Sequence, residues 1–568
     1  MHKKRTFSEF RMQNRNSTDY ISPSQLVNYI LKDPLIDFLN YYKIETIHDL
    51  PDHKRVWSNI LVESDFTKMI KKKGIEYENN VIIQLDQILL LNNKKPIYKI
   101  NQNSENDKIN ETILALSNKE PIIYQGGILY NNLIYGVPDL IIRGDYLNFL
   151  YNENVNEKLY YIIDIKFSTV KLSANEDYIC NSDMAPVYKC QVLLYTQILN
   201  KLLNQNVNIG FIHGKKYSCK KEKINNNIRL RLATINYDTF DVKYYELLDN
   251  AIKWINRLKN EGSNWVLLPK PSIPELYPNM CNKRDDKWRP LKKQLADEIK
   301  DLTLIFNVSY ENRLVGFSNN IYSYDSPDCC CDKLNIRGKK KDIIDKIIQI
   351  NSNNNNILVS PNKINFNKTK WRKLKKNQLE FYLDYETTCD YYNTNFIFMI
   401  GVGYINNDNL WIFKNFKSKT SELIDQEEMY KIFWDNINQI LIEMKKKEGV
   451  FFHWSHAEPA FYSKSSNQIN LPDKNFLDLY QLFINEPIVV KSAFNYSLKT
   501  ISKALHSHGL IDTLWDSNSS CSNGLEVLYQ ANQYYFENVN INFNDIIYYN
   551  EIDCKVLYEI LKYLRLNH

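Results

Sequence analysis

An aspartate and a lysine two residues apart interrupt an otherwise apolar run, Tyr160-Tyr161-Ile162-Ile163-Asp164-Ile165-Lys166-Phe167. Alternation along a strand puts both on one face. Burying a carboxylate and an ammonium in such a strand is costly unless they serve a metal, a partner or chemistry. A second run, Leu379-Glu380-Phe381-Tyr382-Leu383-Asp384-Tyr385-Glu386, sets Asp384 and Glu386 two apart in the same way. Two carboxylates that close repel, so at neutral pH a cation is their natural partner. Taken alone, each pattern also has a plain reading: a strand-end charge pair for Asp164 and Lys166, and a solvent-facing strand edge for Asp384 and Glu386.

Other residues fit the same chemistry. Glu78 closes Gly74-Ile75-Glu76-Tyr77-Glu78 on a helix, and Asp139 follows a proline in Gly136-Val137-Pro138-Asp139. Gln191 and Tyr195 stand one turn apart on the helix that follows the Asp164 strand, so they share a face. Hard cations such as Mg²⁺ or Mn²⁺ prefer carboxylate oxygens, and a phosphodiester needs its charge neutralised and a water activated. A lysine beside the ion can orient that water or stabilise the transition state. Downstream, Glu458 begins a helix after the strand Val450–Trp454, and Tyr549 and Asp553 lie one turn apart near the C-terminus. A tyrosine there can orient an attacking water. Asp478 competes as a ligand but is read as structural. Ser497 is read as a helix cap, with Lys499 an approach to phosphate as the other reading of that helix start. His213, His453 and His456 are left unassigned.

The order Glu78, Pro138-Asp139, Asp164-x-Lys166, Gln191-x-x-x-Tyr195 resembles the RecB-like branch of the PD-(D/E)XK nucleases over roughly residues 20–265. The resemblance implies Glu78, Asp139 and Asp164 as metal ligands, Lys166 as the catalytic lysine, and Gln191 and Tyr195 as positioning groups. Many RecB-like members carry His where Glu78 stands. The four-cysteine iron-sulfur set of some relatives is not matched by the spacing here. Asp384-x-Glu386, Glu458 and Tyr549-x-x-x-Asp553 resemble the tyrosine-containing DEDD exonucleases on an RNase H-like fold, over roughly residues 377–568. That resemblance implies Asp384, Glu386, Glu458 and Asp553 as ligands of two metal ions and Tyr549 as the residue orienting water. Glu458 departs from the Asp usual there.

The expected architecture is α/β and multidomain. A restriction-endonuclease-like core (21–268) follows a loose N-terminus (1–20). A mostly helical linker module (269–376) joins it to an RNase H-like mixed-sheet domain (377–568). A prolyl stretch, Pro269–Pro278, marks the first boundary. Before it, Ser22 or Ser24 caps an opening helix, Ile122–Tyr130 and Leu133–Val137 read as a hairpin turning at Asn131-Asn132, and residues 184–204 form a helix. After residue 377, strands are expected at 380–385, 396–404, 410–416 and 450–454, with helices near 422–445, 497–506 and 546–566.

Of 568 residues, 44% are hydrophobic and 24% charged, as in globular proteins. No apolar window of membrane-spanning length occurs, and the basic start Met1–Arg5 has no apolar run after it, so no secretory signal is expected. The ten cysteines form no CxxC pair, and Cys329-Cys330-Cys331 reads as free thiols. Reduced thiols fit an intracellular setting, cytoplasm or nucleus. Heavy use of Asn, Ile, Lys and Tyr, with 40 Tyr against 15 Gly, points to an AT-rich genome, such as that of a large DNA virus, and then to its replication site. The net charge of +6 permits a basic groove without demanding one. Within these bounds the two resemblances imply a metal-dependent nuclease acting on nucleic acid, DNA before RNA. The resemblance implies a helicase as companion and a role in DNA repair or replication. A nucleic-acid-binding scaffold with one or both sites inactive, and an RNA-processing nuclease, stand as the alternatives.

Overall fold

The computed structural model describes residues 20–42, 63–131, 133–219, 230–352, 356–364, 371, 374–388, 396–467, 469–472, 475–516, 519–521 and 523–568. The N-terminus up to Asp19, Asn132 of the expected turn, Asn353–Asn355 and most of the basic run 368–376 lie outside the described residues. The chain divides into two compact units, Met1–Glu63 with Thr67–Leu295, and Ser64–Phe66 with Ala296–His568.

In the first unit the order is α1 (Pro23–Ile30), α2 (Leu35–Tyr41), α3 (Asp65–Leu91), β1 (Tyr98–Lys99), α4 (Glu105–Ser117), β2 (Ile122–Tyr124), β3 (Ile128–Tyr130), β4 (Ile134–Gly136), β5 (Leu140–Arg143), α5 (Gly144–Tyr151), β6 (Tyr160–Lys171), α6 (Ala185–Leu203), β7 (Ile209–Ser218), β8 (Ala233–Asn236) and α7 (Tyr244–Glu261). The chain continues through α8 (Arg289–Ile299), α9 (Tyr310–Ser318), α10 (Lys341–Asn351), β9 (Val359–Ser360), β10 (Gln378–Thr387), β11 (Ile397–Ile405), β12 (Trp411–Lys417), α11 (Leu423–Glu443), β13 (Glu448–His453), α12 (Ala457–Ser466), β14 (Phe476–Asp478), α13 (Leu479–Asn485), β15 (Val489–Val490), α14 (Leu498–Ser507), α15 (Gly524–Glu537) and α16 (Phe543–Asn567).

The first unit is built on a mixed sheet in the order β1-β2-β5-β6-β7-β8. Its central strand β6 runs antiparallel to β5 and parallel to β7. Period-two alternation explains its two faces. Tyr161, Ile163 and Ile165 join a core with Val81, Ile82, Leu85 and Leu89 of α3, which leaves Asp164 and Lys166 on the opposite face.

One expectation needs correction. Ile122–Tyr130 is not one strand. Ile122–Tyr124 pairs with β1 and β5, and only the later residues, Ile128–Tyr130, form the hairpin with β4. The break falls at Gln125, whose φ is +57°, and at Gly126-Gly127. A Cβ on Gly127 would stand 2.9 Å from the Lys108 Cβ, so α4 needs a bare backbone there.

The prolyl stretch does not end the first unit. Lys292 is fully buried, and its ammonium binds Asp33 Oδ2 and, at 2.7 Å, Asp285 Oδ2. These pairings tie the stretch up to Leu295 to the N-terminal helices. The rest of the expected linker enters the second unit. Leu302, Ile305, Ile344 and Ile347 share one core with Leu482, Val489, Leu557 and Leu561. Cys329, Cys330 and Cys331 are free thiols.

The second unit holds a sheet in the order β12-β11-β10-β13-β14. β11 is antiparallel to both β12 and β10, while β13 runs parallel to β10 and to β14. Phe381, Leu383 and Tyr385 of β10 meet Met429, Phe433 and Ile437 of α11. The alternate residues face α16, where Arg565 grips Glu380 with two bonds, of 2.8 and 2.9 Å. No described helix is long and apolar enough to cross a membrane.

Candidate active sites

In the first unit β5 enters the sheet with Leu140 opposite Ile163, so Asp139 arrives beside Asp164. The Ile165 amide donates to Asp139 Oδ2 at 2.6 Å. Asp164 is fully buried, and the Lys166 ammonium lies 2.6 Å from its Oδ2. Gln191 Nε2 on α6 donates to Asp164 Oδ1 at 3.3 Å and to the Tyr195 hydroxyl at 3.1 Å. Tyr195 reaches the site because Gly136 lies under its ring; a Cβ there would stand 2.3 Å from the ring. Burial, then Asp164, push the Asp139 carboxyl well above the usual carboxylate range; Lys166 opposes this and Glu78 adds to it. Burial alone would lower the Lys166 ammonium, but Asp164 and Asp139 more than offset that and hold it above the ordinary lysine range. Glu78, on α3, joins through Gln125, whose Nε2 donates to Glu78 Oε1 at 2.6 Å and reaches Asp139 Oδ1 at 3.5 Å. His213 stands apart from this chemistry. It is buried against Tyr77 and Tyr151, and burial brings its imidazole down to about 4.

The second unit gathers its acids more tightly. Asp384, Glu386 and Asp553 each offer a carboxylate oxygen, and these oxygens lie within 4.8 Å of one another. Among the described residues they form the one such group of three or more possible ligands. The alternation of β10 supplies the first two, and α16 brings Asp553 across the sheet. Burial, then Asp553 and Glu386, raise Asp384 well above the carboxylate range, and burial, then Asp553, raise Glu386. Burial pushes Asp553 up to about 7, against the pull of Lys499. Burial and mutual repulsion oppose the charge of these carboxyls, and a cation among them relieves both, so the donor set fits a hard divalent ion.

Tyr549 stands one turn before Asp553 and hydrogen-bonds to it; burial and then Asp553 raise its phenol above the usual range. The Lys499 ammonium sits 4.5 Å from the centre of the Tyr549 ring and 5.2 Å from that of Trp515. Glu458 is buried in the first turn of α12 and adds to the field on the three acids, but it stands outside their group, 3.2 Å from His453 Nδ1. Asp478 caps α13, accepting from the Tyr480 amide at 2.8 Å, and Ser497 caps α14.

Sequence reasoning missed Gln125 and Asn550. Asn550 is fully buried, and its Nδ2 donates to Asp384 Oδ2 at 2.7 Å and reaches Glu386 Oε1 at 3.5 Å. Its place beside Tyr549 on the helix was the available signal. Gln125 had none beyond the Gly-Gly that follows it.

Residues 381–565 match the model of the RNase_H superfamily. The matched stretch contains Asp384, Glu386, Asp553, Tyr549 and Glu458, and it supports an RNase H-like nuclease domain in the second unit. Nucleases of that kind act on nucleic acid with divalent metal ions. No curated protein matches the chain.

Proposed function

We propose that the chain is a metal-dependent nuclease with two active sites, the second a 3′–5′ exonuclease-like module and the first a RecB-like PD-(D/E)XK module. The observation that carries the reading is the convergence of Asp384, Glu386 and Asp553 from a strand and a distant helix. Asp384, Glu386 and Asp553 would hold Mg²⁺ or Mn²⁺ with Glu458 nearby, and Glu78, Asp139 and Asp164 would do so in the first unit. Bound there, such an ion neutralises phosphate charge and acidifies water. The chain's own groups do the rest. Tyr549 presents a hydroxyl, fixed by Asp553, toward the side where water would attack. Lys499 places positive charge beside the acids, where a phosphate oxygen gains from it. In the first unit Lys166 supplies that charge directly, and Gln191 with Tyr195 holds Asp164 in its orientation. The nucleic acid is DNA before RNA, and a helicase is the partner such a repair or replication enzyme would serve.

A second reading, nucleic-acid binding without turnover in the second unit, is favoured by the placement of Glu458 against His453 rather than within the group. Single strands and duplexes labelled at either end, incubated with Mn²⁺, separate the readings. Asp164→Ala and Asp384→Ala should each remove one cleavage pattern. Wild-type protein that cuts no substrate would overturn the enzymatic reading. An Asp384→Ala protein that cuts as wild type does would leave the second unit a binder.

A further inference from the structure

The two sites share a device that their sequences do not announce. In each, one neutral side-chain amide spans two acids. Gln125 Nε2 is 2.6 Å from Glu78 Oε1 and 3.5 Å from Asp139 Oδ1. Asn550 Nδ2 is 2.7 Å from Asp384 Oδ2 and 3.5 Å from Glu386 Oε1. Once ionised to take a cation the carboxylates only accept, so in that state the nitrogen is the atom that faces them.

The surroundings of both residues are shaped to admit the amide. Gln125 adopts a left-handed backbone at φ +57°, and its own amide donates to the Asp139 carbonyl at 3.0 Å. Left-handed backbone is uncommon outside glycine and asparagine and is kept where surroundings enforce it. Asn550 needs the gap at Gly401, which pairs with Asp384 across β10 and β11. A Cβ there would stand 1.7 Å from Asn550 Oδ1. That oxygen is buried without a hydrogen-bond partner. An unmet buried acceptor is costly, and the bonds of the nitrogen to Asp384 and Glu386 offset that cost.

Resting on the nuclease reading, we propose that Asn550 and Gln125 are positioning residues for the two cation sites. Each holds a pair of carboxylates together before an ion arrives and fixes which oxygens remain for it. Asn550 engages Asp384 Oδ2 at 2.7 Å, and Asp384 would be held by that bond when it takes an ion. A cation of the Mg²⁺ class then finds a spaced pair instead of two acids driven apart by repulsion. Outer partners of this kind commonly change metal affinity about 10- to 100-fold when removed.

The test uses the full chain and Mn²⁺. Asn550→Leu keeps the volume and removes the donor; Asn550→Asp keeps the shape and replaces the donor by an acceptor. Each should raise the Mn²⁺ concentration for half-maximal 3′-end trimming about tenfold, with excess Mn²⁺ recovering most of the rate. Calorimetric titration of Mn²⁺ should show the same weakening. Gln125→Leu should do likewise for the cleavage that survives in an Asp384→Ala protein. If wild-type protein binds Mn²⁺ and cleaves, but its Mn²⁺ dependence is unmoved by these changes, the amides are not positioning residues and the nuclease reading stands. Loss of rate without any change in Mn²⁺ affinity would overturn the positioning role in the same way. If wild-type protein neither binds Mn²⁺ nor cleaves, the nuclease reading itself falls.

Discussion

The two acidic sites balance their charge differently. In the first unit Asp164 is buried against a lysine of its own strand, so the chain supplies a cation before any ion binds. In the second, three carboxyl groups crowd within 4.8 Å, and the nearby Lys499 lies over the Tyr549 ring. There burial and the neighbouring acids raise the carboxyls, and Asn550 Nδ2 donates to Asp384 Oδ2 at 2.7 Å. The first site therefore pairs one of its acids with a lysine, while Asp139 stays raised by burial and by Asp164; the second groups three acids around one point, although both rest on the same alternation of a central strand.

The largest expected effect concerns pH. Burial pushes the Asp553 carboxyl up to about 7 from its ordinary 3.8. Between these values the folded state binds more protons, so stability falls as pH rises from about 4 to 7, with a slope of up to ~1.4 kcal/mol per pH unit for one such group. In EDTA, hydrogen exchange of β10 and α16 should show protection declining over that window, and saturating Mn²⁺ should restore it. Protection of the second unit that is flat from pH 4 to 7 would break the contrast.

Next in size is Lys166→Met, which leaves Asp164 buried without its cation. The loss should be about 3 kcal/mol, the low end for breaking a buried pair because the lysine side chain is one-fifth exposed. Adding Asp164→Asn should recover most of it. Urea unfolding followed by exchange in β6 measures both. A fully additive double variant would mean that the pair is not what neutralises the first site.

Removing an acid from the second unit should have the opposite sign. Asp384→Asn relieves repulsion and should stabilise the metal-free protein by about 1–2 kcal/mol while abolishing 3′ trimming, the trade expected where a site is built against stability. Thermal melting in EDTA, compared with melting in Mn²⁺, reads this. Destabilisation in EDTA would show that Asp384 is already compensated, as Asp164 is.

What could be read beforehand follows the same division between local and long-range physics. Strand alternation and helical spacing are local, so β6, β10, α6 and α16 and the faces of Asp164, Asp384 and Asp553 were legible. The break at Gln125 was not, because it depends on α4 pressing on Gly127, a contact made by residues distant in sequence. Asn550 carried only the signal of its place beside Tyr549, because its room depends on Gly401, on another strand. The prolyl stretch misled because Lys292, beyond it, is claimed by Asp33 near the N-terminus. Glu458 stands in the first turn of α12, the helix expected there, with an oxygen 3.2 Å from His453 Nδ1.

The smallest expected effect bears on how each site holds its lysine. Lys166 sits on a central strand, paired with Gly214 of β7. Lys499 sits in the first turn of α14, where Ser497 Oγ accepts from the Thr500 amide at 3.1 Å. Helix ends fray when a cap is lost, and Ser497→Ala should cost about 1 kcal/mol. That change frees the turn carrying Lys499 without touching an acid. Trimming of 3′ ends should therefore slow by a few fold, about the factor 1 kcal/mol allows, with the Mn²⁺ dependence unaltered. Cleavage by the first unit should not move. Trimming that is unaffected by loss of the cap would place Lys499 outside the reaction, and the second site would then draw its positive charge from bound ions alone.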